Sequence, residues 1–208
     1  MSETQVSQDQ ELQDKLKSLE LEQRDESSPV GRVIYWVGVL FALAHIYFNT
    51  LGTFSELYVS AIHFSGFALL CALMVPAYKA SSAEGQRWVL GLDIAIGVIA
   101  IACTVYLILF EDALYDRGVT FITSDWIVSF AAIMIASALH RRTTGWFIPT
   151  SILIALTYVF WWGPYIDGIF GFAGLSLETV MFRSFFSAEG MFGSIARISW
   201  TFVFMFIL

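Results

Sequence analysis

This 208-residue sequence has few charged residues, only two cysteines and only three histidines. Asp, Glu, Lys and Arg make up 14% of the chain, whereas an ordinary soluble domain carries roughly a quarter. Cys71 and Cys103 lie apart in apolar segments, without a CxxC pair or metal-ligand spacing, which argues against a disulfide framework, a reactive thiol and a metal centre. No nucleophile elbow, phosphate-binding loop or basic stripe occurs. We therefore expect no enzymatic activity, no cofactor and no nucleic-acid partner.

The sequence is instead rich in long apolar runs, and 57% of its residues are hydrophobic. About 20 apolar residues in a helix are enough to cross roughly 30 Å of hydrocarbon. The runs predict an all-α integral membrane protein in the lipid bilayer with about six transmembrane helices, at residues 33–51, 59–78, 88–110, 121–139, 146–165 and 191–208. Because the sixth run reaches the last residue, we expect the sequence to be the front of a longer protein.

Residues 1–31 form a polar tail with eight acidic and three basic residues. Leu12, Leu16 and Leu19 follow helical spacing, so we expect either a short amphipathic helix or a partly disordered segment. Beyond the tail, five of the eight Lys and Arg residues flank the predicted spans on one side, namely Arg32, Lys79, Arg87, Arg141 and Arg142. Cytoplasmic loops are enriched in Lys and Arg, and the N-terminus is therefore predicted to be cytoplasmic.

Residues 166–190 differ from the other segments. Apolar residues such as Met181 and Phe185 recur at helical spacing between polar ones, with Ser176 placed to cap a helix and Gly190 placed to end it. This pattern predicts an interfacial amphipathic helix, at the outer membrane surface or tucked between spans. A re-entrant segment is the alternative.

Asp93 is the clearest candidate for a functional ionisable group inside the membrane. It follows Trp88 by five residues, which places it about 7–8 Å into the third predicted span. Arg141 and Arg142 end the fourth span on the same side, and a buried carboxylate needs a partner. We expect Asp93 to pair with one of these arginines and to fix the packing of spans three and four. A proton or cation site is the alternative.

Glu189 and Gly190 form the second candidate, in the segment SAEGMFG before the last apolar run. Helix breaks of this kind bind ions in transporters. The preferred interpretation is a turn in which glycines let the chain reverse and Glu189 complements the dipole of the next helix.

The small residues Gly38, Ala42, Gly91, Ala95 and Ala102 suggest close helix packing. The three histidines, His45, His63 and His140, are interpreted as isolated packing or interfacial residues.

Several segments, taken in order, resemble one transporter family. AIHFSGFALLCALMVP, RWVLGLDIAI, RRTTGWFIPTSILIALTYVFWWGPYIDGIF and LSLETVMFRSFFSAEGMFGSIARISW are similar to consecutive parts of the fused permeases of TRAP transporters, the tripartite ATP-independent periplasmic transporters. The resemblance covers about residues 59–208 and is greatest to the type paired with TAXI-class binding proteins. It carries over no ion-binding or substrate-binding residue.

The resemblance implies a domain organisation and a function. Residues 32–142 would form the four-helix, small-subunit-like membrane domain, and residues 143–208 would begin the large permease domain. The expected role is the scaffold part of a secondary transporter for organic-acid-like solutes in the bacterial inner (plasma) membrane, inactive alone. Its expected partners are a periplasmic solute-binding protein and the remainder of the large permease domain. A stand-alone membrane scaffold or assembly protein without transport activity is the alternative.

Overall fold

The computed structural model describes Arg24 and residues 27–207, and this part of the chain is helical without strands. Five helices are long and apolar enough to cross a membrane: α1 (Pro29–Thr50), α2 (Glu56–Met74), α3 (Ala83–Arg117), α4 (Thr123–Thr144) and α5 (Phe147–Tyr165). A shorter helix follows at Leu177–Met181 and continues as a π-helical turn at Phe182–Phe186; we call residues 177–186 α6. The last helix, α7, covers Ser194–Ile207. The expected tail helix around Leu12 to Leu19 lies outside the described residues.

The sequence predicted the five long helices, and the structure confirms them as long and apolar enough to cross a membrane. The sixth predicted run is the shorter apolar helix α7 in the described residues, so the count of six spans stays a prediction. The largest boundary error is at α3, whose 35 residues correspond to roughly 50 Å of helix and include a kink at Phe110, where the backbone is non-helical. Such a helix exceeds the thickness of the hydrocarbon, and its polar ends extend the helix beyond the apolar run that hydropathy detects.

Local signals explain where the helices begin and end. Ser28 and Ser82 precede α1 and α3, and their hydroxyl oxygens accept hydrogen bonds from the backbone N–H groups of Gly31 and Gly85, each at 3.0 Å. These contacts satisfy N–H groups that have no partner inside a helix. Helix α4 ends at Gly145, which has a φ of 72° that other residues rarely adopt. This turn allows the chain to pass directly into α5.

Helix α2 is the central element of the bundle and packs most extensively on α3. The buried face of α3 repeats every three or four residues, as expected for a helix that faces the same neighbour along its length, and it includes Val89, Asp93, Gly97, Ala100, Cys103 and Leu107. The two backbones approach closely at Gly97. A Cβ atom there would lie 3.2 Å from the Cα of Leu69 and 2.4 Å from its Cδ1. Close packing of this kind is a main source of helix association inside a bilayer.

The structure places the close helix packing at other small residues than the sequence suggested. Gly91, Ala95 and Ala102 are on the exposed face of α3, and a Cβ atom at Gly91 or Gly38 would meet nothing within 4 Å. Spacing alone does not show which face of an apolar helix is covered, because lipid and protein both accept apolar side chains. The exposed tryptophans near the helix ends, such as Trp88 and Trp146, fit the headgroup level of a bilayer.

The predicted amphipathic helix exists, but its apolar face is covered by protein. The Ser176 hydroxyl caps α6 by accepting from the N–H of Thr179 at 3.2 Å. Phe185 and Phe186 are fully buried in the core that α6 shares with α2, α3 and α4. The structure thus matches the placement between spans rather than the purely interfacial one. The helix ends at Phe186 rather than at Gly190, since the chain turns from Ser187 onwards.

We predict that Gly97→Ala lowers the free energy of unfolding by about 1–3 kcal/mol, because the added methyl group overpacks the α2–α3 contact. The matched control is Gly91→Ala on the same helix, where the space is open. That change should be neutral or stabilising by up to about 1 kcal/mol, since alanine favours helix more than glycine does. Unfolding of the two variants by SDS titration in detergent micelles measures the difference. Equal effects of the two changes would contradict the proposed contact.

Candidate functional site

Asp93 lies fully buried on α3, where its carboxylate is shared by two arginines. Arg142, at the end of α4, donates from Nη1 to Asp93 Oδ1 at 2.7 Å, and its side chain is only 3% exposed. Arg24 donates from Nη2 to the other oxygen, Oδ2. A carboxylate taken out of water is costly unless it is paired and hydrogen-bonded. Here each of its oxygens accepts from a guanidinium group, so the charge is matched on both sides.

Arg24 also closes the end of α2. Its Nη1 donates to the carbonyl oxygen of Leu73 at 2.7 Å, and its backbone N–H donates to that of Met74 at 3.0 Å. The last carbonyl groups of a helix lack partners within the helix, and a cation near them is favoured by the helix dipole. The contact therefore joins the residue just before α1 to α2 and α3. No pattern in the sequence predicted this contact, because Arg24 is one of several charged residues in a polar tail.

Of the two arginines expected to reach Asp93, Arg142 does so and Arg141 does not. Arg141 is exposed, with its guanidinium carbon 5.6 Å above the ring centre of Trp146. Arg142 also donates to the carbonyl oxygen of Val75 at 3.2 Å, just beyond the end of α2. The Asp93 cluster, defined as Arg24, Asp93 and Arg142, thus links α2, α3 and α4 at one end of the bundle.

A second buried carboxylate, Asp125, lies at the opposite end of α3 and α4. It is 1% exposed and sits in the first turn of α4, where its Oδ2 accepts from the N–H of Ile122 at 3.0 Å. Arg117 donates to both carboxylate oxygens, at 2.9 and 3.1 Å, and the Tyr106 hydroxyl donates to Oδ1 at 2.7 Å. The sequence analysis did not single out Asp125 as a site residue. A spacing of eleven residues would place Tyr106 and Arg117 on one side of a regular helix, and that pattern could have indicated the site.

The two carboxylate clusters lie near opposite ends of α4. Asp125 and Arg142 are 17 residues apart on this helix, which corresponds to roughly 26 Å along its axis, close to the roughly 30 Å of hydrocarbon in a bilayer. The segment between Asp93 and Tyr106 contains no Asp, Glu, Lys or Arg. The geometry therefore gives an apolar zone with one ion-pair cluster near each end, as expected for two helices clamped together across a membrane.

Glu189 and Gly190 lie in a tight turn between α6 and α7. A Cβ atom at Gly190 would lie 2.3 Å from the carbonyl oxygen of Arg183, so glycine is required there. Glu189 is 66% exposed, and its Oε2 lies 3.6 Å from Nε of Arg183. The expectation of a chain-reversing turn agrees with this geometry. The expected role of Glu189 at the helix dipole was wrong, because α7 begins only at Ser194, after the N-cap Gly193.

The interpretation of the histidines as isolated residues was wrong for two of the three. His45 on α1 and His63 on α2 are buried and bond to each other, with Nε2 of His45 at 2.8 Å from Nδ1 of His63. His63 Nε2 lies 3.1 Å from the Ser199 hydroxyl on α7. His140 is separate and exposed on α4. The pairing joins positions on two different helices, and no spacing along the sequence reveals it.

The polar side chains described above are used mainly to join helices. Two grooves, of about 380 and 440 Å³, open on the surface, one beside Asn49 and Phe206 and one beside Tyr115 and Glu189. Neither groove is lined by the Asp93 cluster or by the histidine pair. Within the described residues, no group of three or more His, Cys, Asp and Glu side chains is placed to hold a metal ion. The arrangement is suited to holding helices in fixed positions.

We predict that Arg142→Gln lowers the free energy of unfolding by about 3 kcal/mol, because it leaves the buried charge of Asp93 short of one partner. The neighbouring Arg141→Gln is the matched control. It should cost less than about 1 kcal/mol, as exposed charges and exposed cation–π contacts contribute little. Thermal or SDS unfolding in micelles measures both. If the two variants lose the same stability, the clamp at Asp93 is not what holds this end of the bundle.

No known protein family, characterised protein or solved structure matches the chain.

Proposed function

We propose that this chain is the scaffold part of the membrane permease of a TRAP-type secondary transporter for organic-acid-like solutes. The observation that carries the scaffold role is the pair of ion-pair clusters that clamp α3 to α4 near both ends of an apolar zone. A scaffold domain that stays static while a transport domain moves against it needs helices that are held in fixed relative positions. The TRAP assignment is supported by the ordered sequence resemblance.

The use of the buried charges favours a static part over a transport pathway. A substrate or ion path needs polar groups that can exchange their partners as cargo passes. Both oxygens of Asp93 accept from arginines, and both oxygens of Asp125 accept from Arg117 and from neighbouring donors. Releasing either carboxylate would leave charges unpaired in a low-dielectric interior. We therefore place the moving, substrate-binding part outside this chain and expect no uptake by this chain alone.

The proposed setting is the bacterial inner membrane with the N-terminus in the cytoplasm. The Asp93 cluster then lies near the cytoplasmic face, and the turns around Gly118 and residues 166–176 face the periplasm. A periplasmic solute-binding protein and the remainder of the large permease domain are the proposed partners. Most of α5 is exposed, including Leu153 and Trp161, which is compatible with contact to lipid or to that remainder.

A stand-alone scaffold or assembly protein is the second candidate. The observation that favours it is the anchoring of Arg24, which fixes the junction between the acidic tail and the bundle. An interaction module carried on the tail would be held in a defined position by this contact. In that case the chain would recruit partners to the membrane without any transport.

The two candidates differ in the size of the native protein. We predict that a denaturing blot of source-cell membranes, with an antibody against residues 1–20, shows a band several-fold heavier than the 23.3 kDa of this chain. Such a band indicates a permease that continues into a large domain. A band near 23.3 kDa would overturn the permease assignment and favour the stand-alone scaffold.

A topology measurement in intact cells provides an independent check. Single cysteines at Ser27 and at the exposed Ile169, introduced into a Cys71→Ala, Cys103→Ala background, are challenged with a membrane-impermeant maleimide. We expect labelling at residue 169 and protection at residue 27. The reversed pattern would contradict the assigned orientation and the contact with a periplasmic binding protein.

A further inference from the structure

His45 and His63 form an enclosed site at the junction of α1, α2 and α7. The ring of Phe204 lies 4.3 Å from that of His45, and the ring of Phe67 lies 4.6 Å from that of His63, measured between centroids. Phe41 covers the pair from α1, with its centroid 4.3 Å from that of His45. Neither of the two carboxylate clusters includes these histidines, so their pairing is not explained by the clamp function.

The hydrogen bonds fix the tautomer of both rings. His45 Nδ1 lies 2.9 Å from the carbonyl oxygen of Phe41, which only accepts, so this nitrogen carries a hydrogen. In the neutral ring, His45 Nε2 then accepts, and His63 Nδ1 must donate to it. His63 Nε2 is left as an acceptor for the Ser199 hydroxyl. The result is one chain of hydrogen bonds running from Ser199 through both imidazoles to the backbone of α1.

We propose that the His45–His63 pair is a binding site for a single proton. The proton, taken from water, adds to His63 Nε2, the acceptor at the end of the chain. The Ser199 oxygen then accepts from this nitrogen, and its own hydrogen turns to a carbonyl oxygen of the preceding helical turn. The His63 imidazolium donates through both nitrogens, to Ser199 and to His45 Nε2. No hydrogen bond between the three side chains is lost.

The same geometry excludes a second proton. Protonation of His45 would place hydrogens on both of the nitrogens that face each other at 2.8 Å. Two donors and two positive charges would then oppose each other in a buried site, which is strongly unfavourable. The pair therefore titrates as one unit that holds either no extra proton or one.

Aromatic rings, hydrogen-bonding groups and a few charged side chains surround the pair. The charged side chains on the described parts of α1, α2 and α7 are Arg32, Glu56 and Arg197. Glu56 and Arg197 pair with each other at 3.0 Å, and Arg32 precedes His45 by 13 residues, roughly 20 Å along α1. On α3, Thr104 reaches the neighbouring part of α2 and donates to the carbonyl of Ala61. Of the phenylalanine rings around the pair, that of Phe67 lies nearest to His63, with 4.6 Å between the ring centroids, which is within the distance range of a cation–π contact.

The local shape of α7 is a second sign of a specialised site. Ser199–Val203 forms a π-helical turn, a feature that is often found at functional sites. Trp200 in this turn donates from its indole nitrogen to the Ser60 hydroxyl at 2.9 Å, and Asn49 donates to the carbonyl oxygen of Trp200 at 3.1 Å. These contacts hold Ser199 against His63. The proposal stands whether or not the chain serves a transporter.

The test is solid-state NMR of the full chain in phosphatidylcholine vesicles, with ¹⁵N-labelled histidine, between about pH 8 and pH 4. A His140→Gln variant identifies and removes the signals of the third, exposed histidine. We expect both buried rings to carry hydrogen on Nδ1 at high pH, with one ring alone becoming doubly protonated on acidification. Uptake of no proton, uptake of two protons, or a different tautomer at high pH would overturn the proposal.

A hydroxyl deletion tests the proposed acceptor role of Ser199. Ser199→Ala removes the oxygen that stabilises the protonated His63, so we expect about tenfold lower proton affinity and a titration midpoint about one pH unit more acidic. The matched control is Thr201→Ala, since the Thr201 hydroxyl bonds only to the backbone of its own helix, at Arg197. This control should leave the midpoint unchanged. An unchanged midpoint in Ser199→Ala, or an equal shift in both variants, would contradict the assignment.

Discussion

The carboxylate of Asp93, buried between the guanidinium groups of Arg142 and Arg24, is the contact on which the arrangement of the bundle depends. In a low-dielectric interior an unpaired charge is far more costly than in water, so the three groups must stay together. Each comes from a different part of the chain, on α3, at the end of α4 and just before α1. Keeping them together fixes the relative height and rotation of these elements and closes the end of α2.

The rest of the packing is weaker and less specific, because lipid chains are as apolar as the helix surfaces they would replace. Two other kinds of interaction hold the helices together. One is close packing, as at Gly97 beside Leu69, and the other is interhelical hydrogen bonds such as those of Asp125, Ser60 and the two histidines. Polar contacts therefore define which helices are neighbours, and small residues determine how closely they approach. The proposed scaffold role and the proposed proton site both depend on these polar contacts between helices.

Much of the fold could be predicted from the sequence, since hydropathy and length identify the five long helices within a few residues, apart from α3. The need of a buried carboxylate for a partner also directed attention to Asp93 and the arginines beside it. Hydropathy could not show which of Arg141 and Arg142 points inward, because adjacent residues on a helix differ by about 100° in direction. Hydropathy also could not show that Gly97 packs against α2 whereas Gly91 is exposed, because both glycines lie in the same apolar helix.

Other parts of the site depend on contacts between distant segments. Arg24 comes from a polar tail, and His45 and His63 lie 18 residues apart on separate helices, so no periodicity connects them. Asp125 was not identified from the sequence, because its partner Arg117 lies across a turn, on a different helix. In each case the side chains are brought together by tertiary packing, which a pattern within one helix does not encode.

The central claim is that Asp93 and Arg142 act as one interacting pair that holds α3 and α4. A double-mutant cycle tests it most directly, with Asp93→Asn, Arg142→Gln and their combination compared by unfolding in micelles. We expect a coupling energy above about 1 kcal/mol for this pair, and additivity within about 0.5 kcal/mol when Arg141→Gln replaces Arg142→Gln. Additive losses for Asp93 and Arg142, or equal coupling with Arg141, would contradict the account.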